Sequence, residues 1–274
     1  MLVDTHCHLD FHQFDNDLED VISRAYDEKI NTIINPGINI RNSQSAIKLA
    51  ESYKQVYAAV GVHPNEAHSW NSADGYHIKE IAKTQKVIAI GEIGLDYYRD
   101  STPYKIQKEV FQNQLEIAAD LELPVIIHSR SASQNDQKVF AELLGILDSW
   151  TSKLEQEDSP LANRPGVLHS YSGTLDMAMR AIKMNFFIGV TGPVTFRNAR
   201  KLQNMISSIP IEFILTETDA PFLTPHPYRG KRNEPKHVKL IAEKIAELHQ
   251  LSFQDVESTT YKNAQRLFAW QVTN

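Results

Sequence analysis

The sequence holds a single cysteine, Cys7. No intrachain disulfide can form from it and no cysteine-based zinc motif exists, so any metal must be held by histidines and carboxylates. Nowhere do about 18 apolar residues run uninterrupted, and no basic stretch precedes an apolar one at the N-terminus. Neither a membrane span nor a signal peptide is expected, and the reading is a soluble cytoplasmic protein. Basic residues are not in excess: the formal net charge is −6. That balance does not suit a protein that coats nucleic acid, which needs unpaired Lys and Arg along a face, although a local basic patch is compatible with it. No Gly-x-Gly-x-x-Gly follows the first apolar run and no other Gly-rich phosphate loop is present, which removes the main reason to expect a dinucleotide fold. Repeats, low-complexity blocks and linker-like stretches are missing too.

What is present is an ordinary globular composition, 42% apolar and 23% charged over 274 residues. That length suits one domain spanning 1–274, because α/β barrels often run to about 250 residues as a single unit. Short β-rich runs alternate with longer amphipathic runs, the pattern of a parallel sheet built from about eight β-α units. Strands are expected over Leu2–His6, Asn31–Asn35, Val56–His63, Val87–Glu92, Pro124–His128, Gly166–His169, Phe186–Val190 and Glu212–Glu217. Helices are expected over Asp17–Glu28, Asn42–Ser52, Ala73–Thr84, Pro103–Leu121, Asp136–Trp150, Leu175–Met184, Ala199–Ile209 and Pro235–Gln250. Ser101-Thr102-Pro103 offers a helix start, with proline in the first turn. Ser252 with Asp255 resembles a capping box, so one or two short helices, including Tyr261–Trp270, are expected to close the chain. The polar stretch Ser152–Pro165, with two prolines, reads as an inserted surface loop. Eight such units fit an α/β (β/α)8 TIM barrel with extra C-terminal helices better than an open doubly wound sheet.

The chemistry starts at Asp4-Thr5-His6-Cys7-His8. In an extended chain His6 and His8 project to one face, and two imidazoles on one face are half of a metal site. Taken alone they also suit an ordinary strand with two satisfied histidines. The other potential ligands decide between the two: Glu92, His128 and His169 end the fourth, fifth and sixth strands, and Asp219 lies just past the eighth. In a barrel those C-terminal ends converge on one mouth, where active sites of this fold are built. Glu217 competes with Asp219, and period alone does not separate them. Four histidines and two carboxylates are too many for one tetrahedral ion and about right for two divalent ions sharing a bridging carboxylate. Two such ions would leave the site net positive and attractive to an anion such as a phosphodiester.

Seven stretches then resemble, in order, the motifs of the TatD family of metal-dependent deoxyribonucleases: Asp4-Thr-His-Cys-His-Leu9, Gly61-Val-His-Pro64, Ile90-Gly-Glu-Ile-Gly-Leu-Asp-Tyr97, Pro124-Val-Ile-Ile-His-Ser-Arg130, His169-Ser-Tyr-Ser-Gly173, Glu217-Thr-Asp-Ala-Pro221 and Arg229-Gly-Lys-Arg-Asn-Glu-Pro235. The resemblance implies a barrel of the metal-dependent hydrolase type. It implies one metal on His6, His8, Glu92 and Asp219, and a second on Glu92, His128 and His169. It also implies hydrolysis of DNA phosphodiesters, often from the 3′ end of single strands. This chain has Asn65, Ser131 and Ser170-Tyr171 where many members have a histidine, an acidic residue and Cys-Phe. In-line displacement by an activated water is expected, with Asp219 as proton acceptor and Glu92 setting the ion spacing. Mg2+, Mn2+, Zn2+ or a similar ion is expected, and the sequence does not choose among them, since His/carboxylate sites accept several. His63 is expected to touch the scissile phosphate. Arg130, Arg229, Lys231 and Arg232 are the candidates for phosphate contact, because guanidinium groups match phosphate geometry, and each suits an ordinary solvated surface equally well. Asp96 and Arg99 are expected to support one another, and Tyr97, Tyr98 and Tyr171 either stack bases or pack. Cys7 reads as a small buried apolar residue. DNA ends or single strands are the expected partner, and no obligate protein partner is evident. The alternative is a two-metal hydrolase of another ester or amide, such as D-aminoacyl-tRNA deacylation or small-molecule amidohydrolysis.

Overall fold

The structure, a computed structural model, describes residues 1–133 and 136–270. Eight parallel strands stand in chain order around a barrel: β1 (Leu2–Asp4), β2 (Ile30–Pro36), β3 (Val56–Val60), β4 (Val87–Asp96), β5 (Val125–Arg130), β6 (Gly166–Leu168), β7 (Phe187–Val190) and β8 (Ile214–Thr216). A helix follows each: α1 (Leu18–Asp27), α2 (Ile40–Ser52), α3 (Ser72–Ile81), α4 (Tyr104–Leu121), α5 (Lys138–Gln156), α6 (Leu175–Lys183), α7 (Arg200–Ile206) and α8 (Val238–His249). A ninth, α9 (Phe253–Phe268), completes the chain. The last strand meets the first through Thr5 N–H to the Thr216 carbonyl (3.1 Å), the Thr216 hydroxyl to the Val3 carbonyl (2.9 Å) and a parallel bridge between Cys7 and Ala220. This is the expected (β/α)8 TIM barrel. Among the described residues no helix is long and apolar enough to cross a membrane.

Burial on both faces explains why the strands read as continuous apolar runs. Every strand sends a residue to one interior cluster: Val3, Ile34, Ala59, Ala89, Ile126, Val167, Phe187 and Leu215. Ala264, Leu267 and Phe268 of α9, with Trp270, pack on that cluster and plug the end of the barrel where the strands begin. Asn263 pins the plug by donating to the carbonyls of Ile211 (2.8 Å) and Ile214 (2.9 Å) at the start of β8. Chemistry is thereby confined to the opposite mouth. The outer helices bury a single face each, as with Val21, Ile22 and Ala25 of α1. Asn39, Asn71 and Thr174 cap α2, α3 and α6 through their side chains, satisfying N–H groups the helices leave free.

Four boundary readings need correction. The stretch Ser152–Pro165 is no inserted loop: α5 runs on to Gln156, and a 3-10 turn over Pro160–Asn163 follows. Leu147, Trp150, Thr151 and Leu154 make one buried face with helical spacing, and the polar residues between them face water. The C-terminal helix is a single 16-residue element rather than one or two short pieces, with the Ser252 hydroxyl accepting the Asp255 N–H at its start. Pro103 is the cap of α4 rather than its first-turn residue, and the Thr102 hydroxyl donates instead to the Asn65 carbonyl (3.2 Å). Several strands stop short of the ligands assigned to their ends, whereas β4 continues four residues past Glu92 to Asp96.

Candidate active site

The first pair of imidazoles is set by what lies beneath it. Regular pairing ends at Asp4, but the bridge at Cys7 keeps the chain extended, so the alternation that places His6 and His8 together persists. Buried Asp4 fixes the turn of chain: its carboxyl accepts the N–H groups of His6 (3.3 Å) and Thr218 (2.8 Å) and pairs with the Thr218 hydroxyl (2.5 Å). Burial pushes the Asp4 pKa up to about 8 against those hydrogen bonds. The result is His6 Nε2 and His8 Nε2 only 3.1 Å apart, while neither Nδ1 has a hydrogen-bond partner. Burial also holds both rings neutral, His6 well below its ordinary value and His8 at about 4.

Glu92 stands between two groups. Its Oε2 lies 3.4 Å from His6 Nε2 and 3.7 Å from His8 Nε2, and its Oε1 lies 2.8 Å from His128 Nδ1 and 3.9 Å from His63 Nε2. Burial opposes its charge, but the surrounding imidazoles outweigh that and hold it well below the carboxylate range. Four residues further along the same strand face, Asp96 accepts from His128 Nε2 (3.2 Å) and from the Asn65 amide (3.2 Å). Asp96 also takes the backbone N–H of Arg99 (3.0 Å), which is the form the expected Asp96–Arg99 support takes. Burial pulls the His128 pKa down, yet the hydrogen bonds to Asp96 and Glu92 carry it to about 9. Gly94 makes this possible: its φ is +140°, and a Cβ there would collide with the His128 carbonyl.

Asp219 approaches from β8. Its Oδ1 lies 3.8 Å from His6 Nε2, 3.6 Å from His8 Nε2 and 3.7 Å from His169 Nε2. Burial raises its pKa to about 7. Glu217, the competing carboxylate, turns away into the barrel and is fully buried. It accepts from His169 Nδ1 (2.8 Å) and from the Ser170 N–H (2.9 Å), so it fixes the ring that presents Nε2 to Asp219. A side chain on Gly189 would occupy the space its carboxylate fills. His169 also stacks on His6, with ring centroids 3.4 Å apart.

His6, His8, Glu92, His128, His169 and Asp219 all face one mouth, but His128 sides with Glu92 and His63, whereas His169 sides with His6 and Asp219 rather than with His128 as expected. Among the described residues three overlapping groups have donor atoms within 4.8 Å of one another: His6–His8–Glu92, His63–Glu92–His128 and His6–His169–Glu217. Neutral imidazole Nε2 atoms facing one another and two carboxylates are a poor arrangement by themselves. A divalent cation relieves it, because it takes both lone pairs and offsets the buried acids. The donor set, nitrogen and oxygen without sulfur, fits such ions.

The outer contacts divide. Arg130 is exposed and lies over the Tyr98 ring (3.9 Å), and Arg229 is exposed over Phe196 (4.4 Å). Lys231 lies 5.8 Å from the Tyr228 ring centre. Arg232 is not available as a phosphate contact: it forks onto Asp17 (2.7 Å to each oxygen) and reaches Glu234 (3.1 Å), and Arg24 joins the same cluster. Tyr97 and Tyr171 are buried, with hydroxyls donating to Glu142 (2.6 Å) and the Thr174 carbonyl (2.8 Å), so they pack rather than stack bases. Tyr98 stays 58% exposed. Cys7 is buried as expected. Asp4, Asp96 and Glu217 are the supporting acids; the sequence does not single out Asp4, pairs Asp96 only with Arg99 and offers Glu217 only as a rival ligand.

Comparison with known proteins shows the family to which the chain belongs. The family model described as TatD related DNase matches residues 3–269. The Uncharacterized metal-dependent hydrolase YabD of Bacillus subtilis is 43% identical, the match covering 98% of this chain and 99% of that one. The 3′-5′ ssDNA/RNA exonuclease TatD of Escherichia coli K12 is 36% identical over 93% of this chain and 94% of its own. The crystal structure of YjjV, a TatD homologue from Escherichia coli K12, superposes with a TM-score of 0.87 at 30% identity, covering 98% of both chains.

Proposed function

Because the chain belongs to the TatD related DNase family and is a hydrolase acting on ester bonds, we propose that it hydrolyses DNA phosphodiesters at frayed or single-stranded ends with the help of two divalent cations. The observation that carries the reading is Glu92, whose two oxygens face two separate imidazole groups. On this reading His6, His8, Glu92 and Asp219 hold one cation, and Glu92, His128 and His169 hold the other. Such ions, when bound, acidify water and offset charge on phosphoryl oxygens.

The chain's own residues do the rest. Asp219 Oδ1 takes the proton of the attacking water, from a half-buried position shared with His6, His8 and His169. Glu217 holds the proton on His169 Nδ1, and Asp96 takes the Nε2 side of His128, so each ring presents its other nitrogen inward. His63, with its Nδ1 accepting the Asn65 N–H (3.1 Å), turns Nε2 toward the reacting phosphate. Arg130 and Arg229, at opposite rims, steady the flanking phosphates. The mouth is concave, so a strand must bend into it, which a stacked duplex resists and a free end does not. The Escherichia coli relative, named a 3′-5′ ssDNA/RNA exonuclease, supports single-strand action and 3′-5′ polarity here.

The test is a comparison of substrates under one set of conditions. The Mn2+-loaded protein is expected to shorten 5′-labelled single strands and 3′-overhang DNA, to act slowly on blunt duplex, and to leave amides and aminoacyl esters intact. Rapid nicking of relaxed closed circles at the single-strand rate overturns end dependence. Aminoacyl-ester turnover exceeding that of any oligonucleotide overturns the nuclease reading.

A further inference from the structure

We infer that the β8–β1 rim of the mouth is a nucleobase-stacking subsite, in which Phe222 is the platform, Phe11 its support and Arg229 the contact to the adjoining phosphate. The inference rests on the phosphodiesterase reading above and adds to it the residue that recognises a base.

A lone exposed phenylalanine on a protein surface is ordinary. Phe222 differs in its place and its rigidity. It is three residues beyond Asp219, 46% exposed, and its ring meets Phe11 edge to face with centroids 6.0 Å apart. Phe11 in turn lies flat against His8 (4.5 Å, 19°). A continuous aromatic wall therefore climbs from a ligand imidazole to solvent. The backbone carrying Phe222 is tied down on both sides: its N–H donates to the Asp219 carbonyl (2.8 Å), and its own carbonyl accepts the Asn233 amide (2.6 Å). Asn233 also donates to the Thr218 carbonyl (2.9 Å), and the Thr224 hydroxyl to the Lys231 carbonyl (2.6 Å). The backbone beneath the exposed ring is thus anchored on both sides.

The same loop brings the charge. His226 N–H donates to the Thr195 hydroxyl (2.8 Å), which seats the segment beyond β7 against the segment beyond β8. Between them Phe196, Arg197, Asn198, His226 and Arg229 line a cavity of about 190 Å³. The hollow's His226 and Arg229 stand four and seven residues beyond Phe222 on the same anchored loop, and a ring and a guanidinium carried together past Asp219 suit one nucleotide: π-face to base and fork to phosphate. Every base has a π-face, so the platform is tolerant of sequence. A base already stacked within a duplex gains nothing from it, whereas an end base does.

The experiment uses the Mn2+-loaded full chain and single-stranded oligonucleotides carrying one abasic sugar, moved position by position through the terminal nucleotides. At one position the missing base is expected to lower kcat/KM about 5- to 150-fold for the wild type and about twofold or less for Phe222→Ala, with Phe222→Trp restoring the sensitivity. Changing the substrate keeps the comparison internal to each folded protein. Equal abasic costs in wild type and Phe222→Ala, or a wild type indifferent to base loss at every position, overturn the subsite and leave the nuclease reading standing. Coupling at Tyr98 in place of Phe222 overturns it as well. A loaded protein that turns over a base-free phosphodiester but no oligonucleotide defeats the nucleic-acid reading and this inference together.

Discussion

Replacing Glu92 by glutamine is expected to lower kcat by about 10³-fold or more, since metal-derived charge stabilisation is worth several kcal/mol and each 1.36 kcal/mol is tenfold. The loss is large because one residue faces both imidazole groups, His6 and His8 through Oε2, His128 and His63 through Oε1. Glutamine keeps the shape but removes the charge and puts donors where a carboxylate oxygen would meet a cation. Elemental analysis of the purified variant should show weakened retention of both ions. Two firmly held ions with normal turnover would mean that Glu92 does not bridge.

Replacing Asp219 by asparagine is expected to cost about 10²- to 10⁴-fold in kcat, the usual range for a positioned acid or base. The backbone should tolerate the change: Asp219 has φ +55°, a left-handed conformation that asparagine adopts readily, and its N–H to the His6 carbonyl (2.9 Å) is unaffected. The variant should unfold like the wild type and lose affinity mainly for the ion on the His6 side. Its distinguishing property is partial loss of metal with large loss of rate. Turnover within tenfold of the wild type would remove Asp219 from proton transfer.

Much of this site was legible before the structure, for reasons that are local. His6 and His8 converge because extended chain alternates with period two, which holds even where regular pairing has stopped. Glu92, His128, His169 and Asp219 converge because barrel topology gathers strand ends. What escaped depends on direction rather than spacing. Glu217 and Asp219 are two residues apart, and only the fold shows that one lies behind His169 and the other in front of it. Asp96 is legible as a supporting acid, but its partner His128 follows only from β4 running on past Glu92, which puts Asp96 four residues along on the same strand face. Arg232 looked like its basic neighbours until Asp17, distant in sequence, proved to be its partner. The helical face Leu147–Trp150–Leu154 was present in the sequence and was obscured by the polar residues and prolines around it. Phe222 gave no signal, because a phenylalanine in a loop acquires meaning only from the rings and ligands beside it.

A two-cation site on Glu92 requires a particular metal stoichiometry for turnover. Stripped protein titrated with Mn2+, with bound metal and hydrolysis of a 5′-labelled single strand followed in the same samples, is expected to stay inactive through the first equivalent. Turnover should appear as the second is taken up, and chelation should abolish it. Full activity in rigorously metal-free protein, or activity complete at one equivalent with none gained from the next, would contradict the two-cation site built on Glu92.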